Sequence, residues 1–290
     1  MPPTPDIAVR LGLPLWGFRA WCGSVYTKDA RSNDLLGQYA QAFSAVEGNT
    51  TFYSVPSPDT VLRWRDETPP TFRFCFKLPR AISHDARLRG VERETEAFLE
   101  GMRPLGPRLG PFMIQLPGSF GPPQLDDLDR FLTRLPTDLR FAVELRSRGL
   151  VQESGPAPRA LELLREHTCD WIHLDTRGLR AGPRDHPDVR AARHPKPDLP
   201  VHPTRTGPHP IVRFVGHPEI ERNGPWLERW RTPLAEWARE GAESYLFLHC
   251  PNDLHAPAIA RQAHTRLPPA PLPRPKTWPG EAEPRQLSLL

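Results

Sequence analysis

A regular alternation of strand-like and helix-like pieces constrains this chain more than any other feature. Runs rich in β-branched or aromatic residues and bounded by Gly, Pro or Asp predict strands at Ile7–Leu13, Ser44–Asn49, Phe72–Lys77, Pro111–Leu116, Arg140–Arg146, Asp170–Asp175, Ile211–Gly216 and Ser244–Cys250. Between them, helical periodicity predicts helices at Asp34–Phe43, Asp59–Glu67, Val91–Leu105, Leu125–Leu135, Pro158–His167, Trp226–Glu240 and Pro257–Leu267. Pro158 and Pro257 sit in first turns, where no backbone N–H is needed, and Ser57 or Asp59 is placed to cap the second helix. Strands alternating with helices build a parallel sheet, and at 290 residues its most economical closed form is a TIM-type (β/α)8 barrel. The barrel is expected to fill residues 1–267 as a single domain.

Two stretches break the rhythm. Between Arg177 and Pro210 the chain is Pro- and His-rich, with at most a short helix near Val189–Ala192. In a barrel this irregular loop follows strand six and lies over the C-terminal mouth. Beyond Leu267 the sequence PPAPLPRPKTWPGEAEPRQLSLL is too proline-dense for helix or sheet, which predicts an extended tail over 268–290. The four cysteines, Cys22, Cys75, Cys169 and Cys250, form no CxxC pair, which argues against a zinc ribbon or a thioredoxin-like site and suits a reducing compartment. MPPTPDIAVR carries no apolar signal segment and no long apolar run follows, so a cytoplasmic location is expected. A net charge of +4 points only weakly to an anionic partner, because many of the arginines fall on solvated helix faces.

Side chains alternate between the two faces of a strand, and here the alternation sorts polar from apolar. Phe72, Phe74 and Phe76 oppose Arg73, Cys75 and Lys77, while Phe141, Val143 and Leu145 oppose Ala142, Glu144 and Arg146. Val46 is separated from Glu47 and Asn49, Ile114 from Gln115, and Ile172 and Leu174 from His173 and Asp175. The apolar face belongs against the helices, so the polar class is expected inside, and its members near strand C-termini should line the mouth. On this reasoning Glu47, Lys77, Gln115, Glu144, Asp175, Arg213 and His249 converge. Charges buried there need partners: each other, through pairs such as Glu47–Lys77 and Glu144–Arg213, or else water or a ligand.

The residue types suggest chemistry. Glu47 and Glu144 suit a general base and acid if their pKa values are split, and Lys77 suits a phosphate clamp or, when desolvated, a Schiff-base nucleophile. With Asp175 these form the expected catalytic set. Arg146 and Arg213 suit an anionic oxygen gripped bidentately. Asn49, Tyr53, His84, Gln115, His217, His249 and Asn252 complete the expected substrate-binding set, with Tyr53 preferred over Trp21, Phe52 and Trp64 as a stacking platform. For the Asn252–Asp253 pair after strand eight, capping the last helix and touching a ligand are equally open. No cofactor is expected. His84, Glu144, Asp175, His217 and His249 match zinc or manganese by ligand type, but no HxxxH or HExxH spacing supports a site and neighbouring cations would repel a metal ion.

Several separated segments carry a family resemblance: the opening with Leu11, Gly12, Trp16, Trp21, Gly23 and Tyr26; VEGNTTFYSVPSPDTVLRWRDETPPTFRFCFKLPRAISH from Val46 to His84; LGPRLGPFMIQLP; the ExR of Glu144 and Arg146; VRFVGH; and HCPNDLHAPAIAR. Together, and in order, they resemble the YecE-like family, domain of unknown function 72. The likeness spans roughly residues 7–267 and implies a TIM-barrel fold; it implies no particular activity, because the family is itself uncharacterised.

The final QLSLL resembles the peptide by which bacterial DNA enzymes dock onto the sliding clamp, with Gln286 as polar anchor and Leu287, Leu289 and Leu290 as apolar contacts on a tether. Three readings follow. The first is an enzyme acting on an anionic, phosphate-bearing substrate, nucleic acid included, at the barrel mouth. The second is a non-catalytic ligand-binding or DNA-processing accessory protein that docks to the clamp. The third is a Schiff-base lyase using Lys77.

Overall fold

Strands form where the apolar runs predict them, slightly shortened. In the computed structural model, which describes residues 8–182, 186–267 and 277–282, they are β1 (Val9–Leu13), β2 (Ala45–Gly48), β3 (Arg73–Phe76), β4 (Phe112–Gln115), β5 (Phe141–Glu144), β6 (Asp170–Asp175), β7 (Ile211–Val215) and β8 (Ser244–His249). They pair in parallel in the order β3-β2-β1-β8-β7-β6-β5-β4. The two ends of the sheet meet through bridges at Phe74–Leu109 and Lys77–Met113, with Leu78 N–H donating to Met113 O at 3.0 Å. The result is a TIM-type barrel.

Around it run α1 (Leu35–Ala42), α2 (Pro58–Asp66), α3 (Glu92–Met102), α4 (Leu125–Thr133), α5 (Pro158–Glu166), α6 (Arg177–Arg180), α7 (Pro187–Arg193), α8 (Gly224–Glu228), α9 (Arg231–Arg239) and α10 (Ala256–Arg266). Ser57 caps α2, its hydroxyl accepting from Thr60 N–H at 3.3 Å. The single helix expected over Trp226–Glu240 is two, α8 and α9. Pro233 offers no N–H to the carbonyl of Arg229 and its ring crowds that carbonyl, so the ladder breaks there. No helix among the described residues is long and apolar enough to cross a membrane.

The barrel interior is tiered. Ala45, Cys75, Met113, Ala142, Ile172, Ile211, Tyr245 and Phe247 form a buried apolar layer inside, separate from the core between strands and helices that holds Phe72, Phe74, Phe76, Ile114 and Val143. Gly12 on β1 belongs to this crowded inside: a Cβ there would lie 2.2 Å from Ala45 O. Below the apolar layer, at the N-terminal end, Arg10 Nε pairs with Glu243 Oε1 at 2.5 Å, and Asp170 Oδ1 accepts from His209 N–H at 2.8 Å.

Burial pushes the Asp170 carboxyl up to about 8, against the lowering pull of the His209 N–H and of Arg205 and Arg140. A carboxyl whose pKa is higher folded than unfolded binds its proton more tightly in the native state, so stability falls as pH rises from the unfolded value towards 8. Between about pH 6 and pH 8 the loss should be roughly 2–3 kcal/mol, and Asp170→Asn should flatten it. Urea titrations of both proteins at the two pH values check this; equal losses would refute the assignment.

Strand β6 runs opposite to the facing its residues suggest. Ile172 lies in the inner layer and Leu174 packs under Leu179, Val189 and Ala192, whereas His173 lies 5.5 Å from the rings of Trp230 and Trp237. Asp175 accepts from Trp230 Nε1 at 2.8 Å and from Arg177 Nη2 at 2.8 Å, so it faces the helix layer and not the mouth. The reason is the segment between β6 and β7. Its helices α6 and α7 lay an apolar cover over this half of the barrel end, which suits Leu174, while an indole N–H and a guanidinium satisfy Asp175 outside.

The folded body also extends past the expected boundary at residue 267. Trp278 is 5% exposed, with its ring 3.6 Å from the Arg261 guanidinium carbon and 5.5 Å from Phe43. A Cβ on Gly280 would lie 2.3 Å from Tyr26 O, so the backbone is closely docked. Trp278→Ala should cost about 2–3 kcal/mol, less than a fully enclosed tryptophan, because the docked segment is peripheral. A change in the urea midpoint equivalent to under about 0.5 kcal/mol would show that the docking contributes nothing. Gln286, Leu287, Leu289 and Leu290 lie outside the described residues.

Candidate functional site

Above the apolar layer, strand C-termini bring ionisable groups together. Arg213 of β7 grips Glu47 of β2 with two hydrogen bonds, Nε to Oε2 at 2.8 Å and Nη2 to Oε1 at 2.7 Å, and its Nη1 donates to Glu144 Oε2 of β5. His249 of β8 meets Glu47 Oε2 through Nε2 at 2.9 Å. Lys77, just past β3, donates to Gln115 Oε1 of β4 at 2.8 Å and stands 3.6 Å from Glu47 Oε1. Six strands thus contribute to one network. Both expected pairs, Glu47–Lys77 and Glu144–Arg213, are present, but Arg213 joins the two carboxylates into one unit.

Burial alone would raise the Glu47 pKa, but Arg213, then His249 and Lys77, outweigh it and hold the carboxyl well below the usual range. Glu144 is lowered for the same reason, with Arg213 and Arg146 opposing burial. Neither carboxylate is therefore a ready proton donor near neutrality, and their pKa values are not split as an acid–base pair would require. Lys77 behaves differently: burial, helped by Arg213 and opposed by Glu47 and Glu144, brings it down to about 8.

The network forms the floor of a cavity of about 340 Å3 at the mouth, lined among others by Asn49, Tyr53, Lys77, Lys196, Arg213, His249 and Asp253. Glu47 and Glu144 are fully buried behind Arg213 and do not line it. Lys196 comes from the segment between β6 and β7, which Arg146 holds by donating to Pro195 O at 3.0 Å. Its ammonium makes no hydrogen bond or ion pair among the described residues. Tyr53 stands at the rim, 81% exposed, and Phe52 lines the wall between Lys77, 5.9 Å from its centroid, and His84, 4.9 Å away. Phe52 therefore belongs to the cavity and not to the core, whereas Trp21 and Trp64 are buried.

The remaining expected site residues divide. Asn49 donates to Pro14 O at 2.9 Å and keeps a buried Oδ1 with no partner among the described residues. Arg146 stands 3.2 Å from Glu144 Oε1 without good hydrogen-bond geometry. His84 is bonded to Ser83 and sits behind Phe52, and His217 is fully buried with Nδ1 accepting from Glu219 N–H, beside His186. Asn252 bonds Asp188 at 2.9 Å and turns the chain through Leu254 N–H, so it neither caps α10 nor lines the cavity. His84, Glu144, Asp175, His217 and His249 do not converge; among the described residues no group of three such side chains is placed to hold a metal ion.

A larger cavity, about 940 Å3, lies between α3 and α4 on the outer wall. Its arginines are paired: Arg89 and Arg130 with Asp127, Arg134 with Glu92, Arg103 with Glu100. The smaller mouth cavity is the better candidate, because it sits at the strand C-termini and keeps an unpaired cation.

A closed parallel sheet ringed by helices, with a charged network at its C-terminal mouth, defines a TIM-barrel protein. The chain belongs to the family described as Protein of unknown function DUF72, whose model matches residues 10–282. It is 36% identical over 251 residues to UPF0759 protein YecE of Escherichia coli (strain K12), covering 87% of this chain and 89% of that protein. Two solved structures share the fold. The DUF72 family protein of Thermotoga maritima MSB8 aligns with a TM-score of 0.68 at 24% identity over 89% of this chain and 98% of that one. The Enterococcus faecalis V583 family member aligns with a TM-score of 0.68 at 22% identity over 89% and 95%.

Proposed function

We propose that the barrel mouth binds a small phosphate-bearing anion and that the protein is an enzyme acting on it. One observation carries this reading: Lys77, Lys196 and Arg213 line the cavity, while the glutamates that balance Arg213 lie behind it, fully buried. An anion entering meets Lys77 and Arg213 without touching the glutamates beside them, in a recess where screening by water is weak. Titrating the protein with inorganic phosphate and with phosphate monoesters at fixed ionic strength should raise Tm in a saturable way, and chloride should not. Identical Tm values across all of these anions would refute the reading.

A second reading rests on Lys77 itself. An amine brought down to about 8 is partly free base near neutrality, as Schiff-base chemistry requires. Borohydride treatment with small carbonyl compounds should then leave a covalent adduct on Lys77, and mass spectra without one for every carbonyl tried would remove this alternative.

A further inference from the structure

One carboxyl on the cavity wall stands outside the network. Asp253 lies in the turn after β8 and lines the mouth cavity, yet its side chain forms no ion pair among the described residues. Its backbone has φ 58°, a left-handed conformation that aspartate tolerates at some cost, and its carbonyl accepts the Trp21 indole N–H at 3.0 Å. A fully buried tryptophan thus pins the turn that presents this carboxyl to the cavity.

The ionisable groups facing it are known. His249 ends β8 and Cys250 follows it, Lys196 comes from the segment between β6 and β7, and Glu47 from β2; Lys77, Arg213 and Tyr53 share the cavity wall. Glu47 is already committed to Arg213 and His249. Of the carboxyl groups in this set, only Asp253 both lines the cavity and is free to change its protonation without breaking the network.

We propose that Asp253 is the group that takes up a proton from solvent when an oxyanion enters the cavity, its carboxyl staying protonated while the anion is bound. A negative charge placed in the cavity disfavours a second one beside it, and a protonated carboxyl can donate its O–H to an anion oxygen. Burial already raises the Asp253 pKa, His249 opposing it. The proposal rests on the anion-binding reading above.

Calorimetric titration of the full chain with sulfate at about pH 6, in buffers of low and high ionisation enthalpy, tests it. Sulfate does not titrate there, so any proton taken up comes to the protein. The wild type should take up protons as it binds sulfate. Asp253→Asn, and Asp253→Gly as a second variant compatible with φ 58°, should bind sulfate while taking up almost none. Uptake that persists in both variants, or that vanishes in His249→Gln while persisting in them, overturns the assignment. So does sulfate binding by the wild type without proton uptake. Failure of the wild type to bind sulfate at all would instead sink the anion site on which the proposal stands.

Discussion

Arg213→Met should lower the unfolding free energy by at least about 3–5 kcal/mol, because it strands two fully buried carboxylates without their shared cation. Protonating them on folding would relieve part of the strain, and the proton uptake would make the variant less unstable in acid. The wild type should behave in the opposite way. Its glutamates have folded pKa values below their unfolded ones, so their contribution is complete above the unfolded value and is lost as pH falls through the folded one. The triple variant Arg213→Met, Glu47→Gln, Glu144→Gln should recover part of the loss, since no buried carboxylate is then left without its cation. Urea denaturation of the three species checks this. A single variant within about 1 kcal/mol of wild type would mean that the triad is not the buried unit described.

The second large effect concerns affinity. Lys77→Met and Lys196→Met should each weaken phosphate binding roughly 10- to 100-fold, the value of one charge-assisted hydrogen bond of about 1.5–3 kcal/mol. Because Lys77 sits at about 8, wild-type affinity should fall as pH rises through that value, and Lys77→Met should lose this dependence over the same range. Stability moves the other way. A lysine whose pKa is depressed by folding penalises the native state while protonated, so the penalty lifts as pH rises from about 8 towards the unfolded value. Binding and folding measured across this range therefore separate a ligand contact from a merely structural lysine. Unchanged affinity in both variants would remove the cationic wall as the recognition element.

The barrel was legible because its signal is carried by pattern. Strand runs with Phe72, Phe74 and Phe76 against Cys75 and Lys77, or Phe141 and Val143 against Glu144, can bury their apolar members only towards the helices. That rule brought Glu47, Lys77, Gln115, Glu144, Arg213 and His249 to one end of the sheet. It failed at β6, where polar residues fall on both faces, Asp170 with Ile172 and Leu174 and His173 with Asp175, so periodicity no longer says which face is inside. His173 among tryptophans and Asp175 under an indole N–H are solutions of tertiary packing, invisible to alternation. Lys196 was missed for a related reason: it lies in a segment without period, positioned by the Arg146 bond to Pro195. Sequence also cannot say which charges are spent. Glu47 and Glu144 read as acid–base candidates, and only geometry shows both committed to Arg213.

Crystals of the full chain grown with selenate would show where an oxyanion binds, since selenium marks it by anomalous scattering. An anomalous peak is expected in the mouth cavity, beside Lys77 and Lys196. Peaks confined to surface arginines, with the mouth empty at concentrations that stabilise the protein, would contradict that expectation.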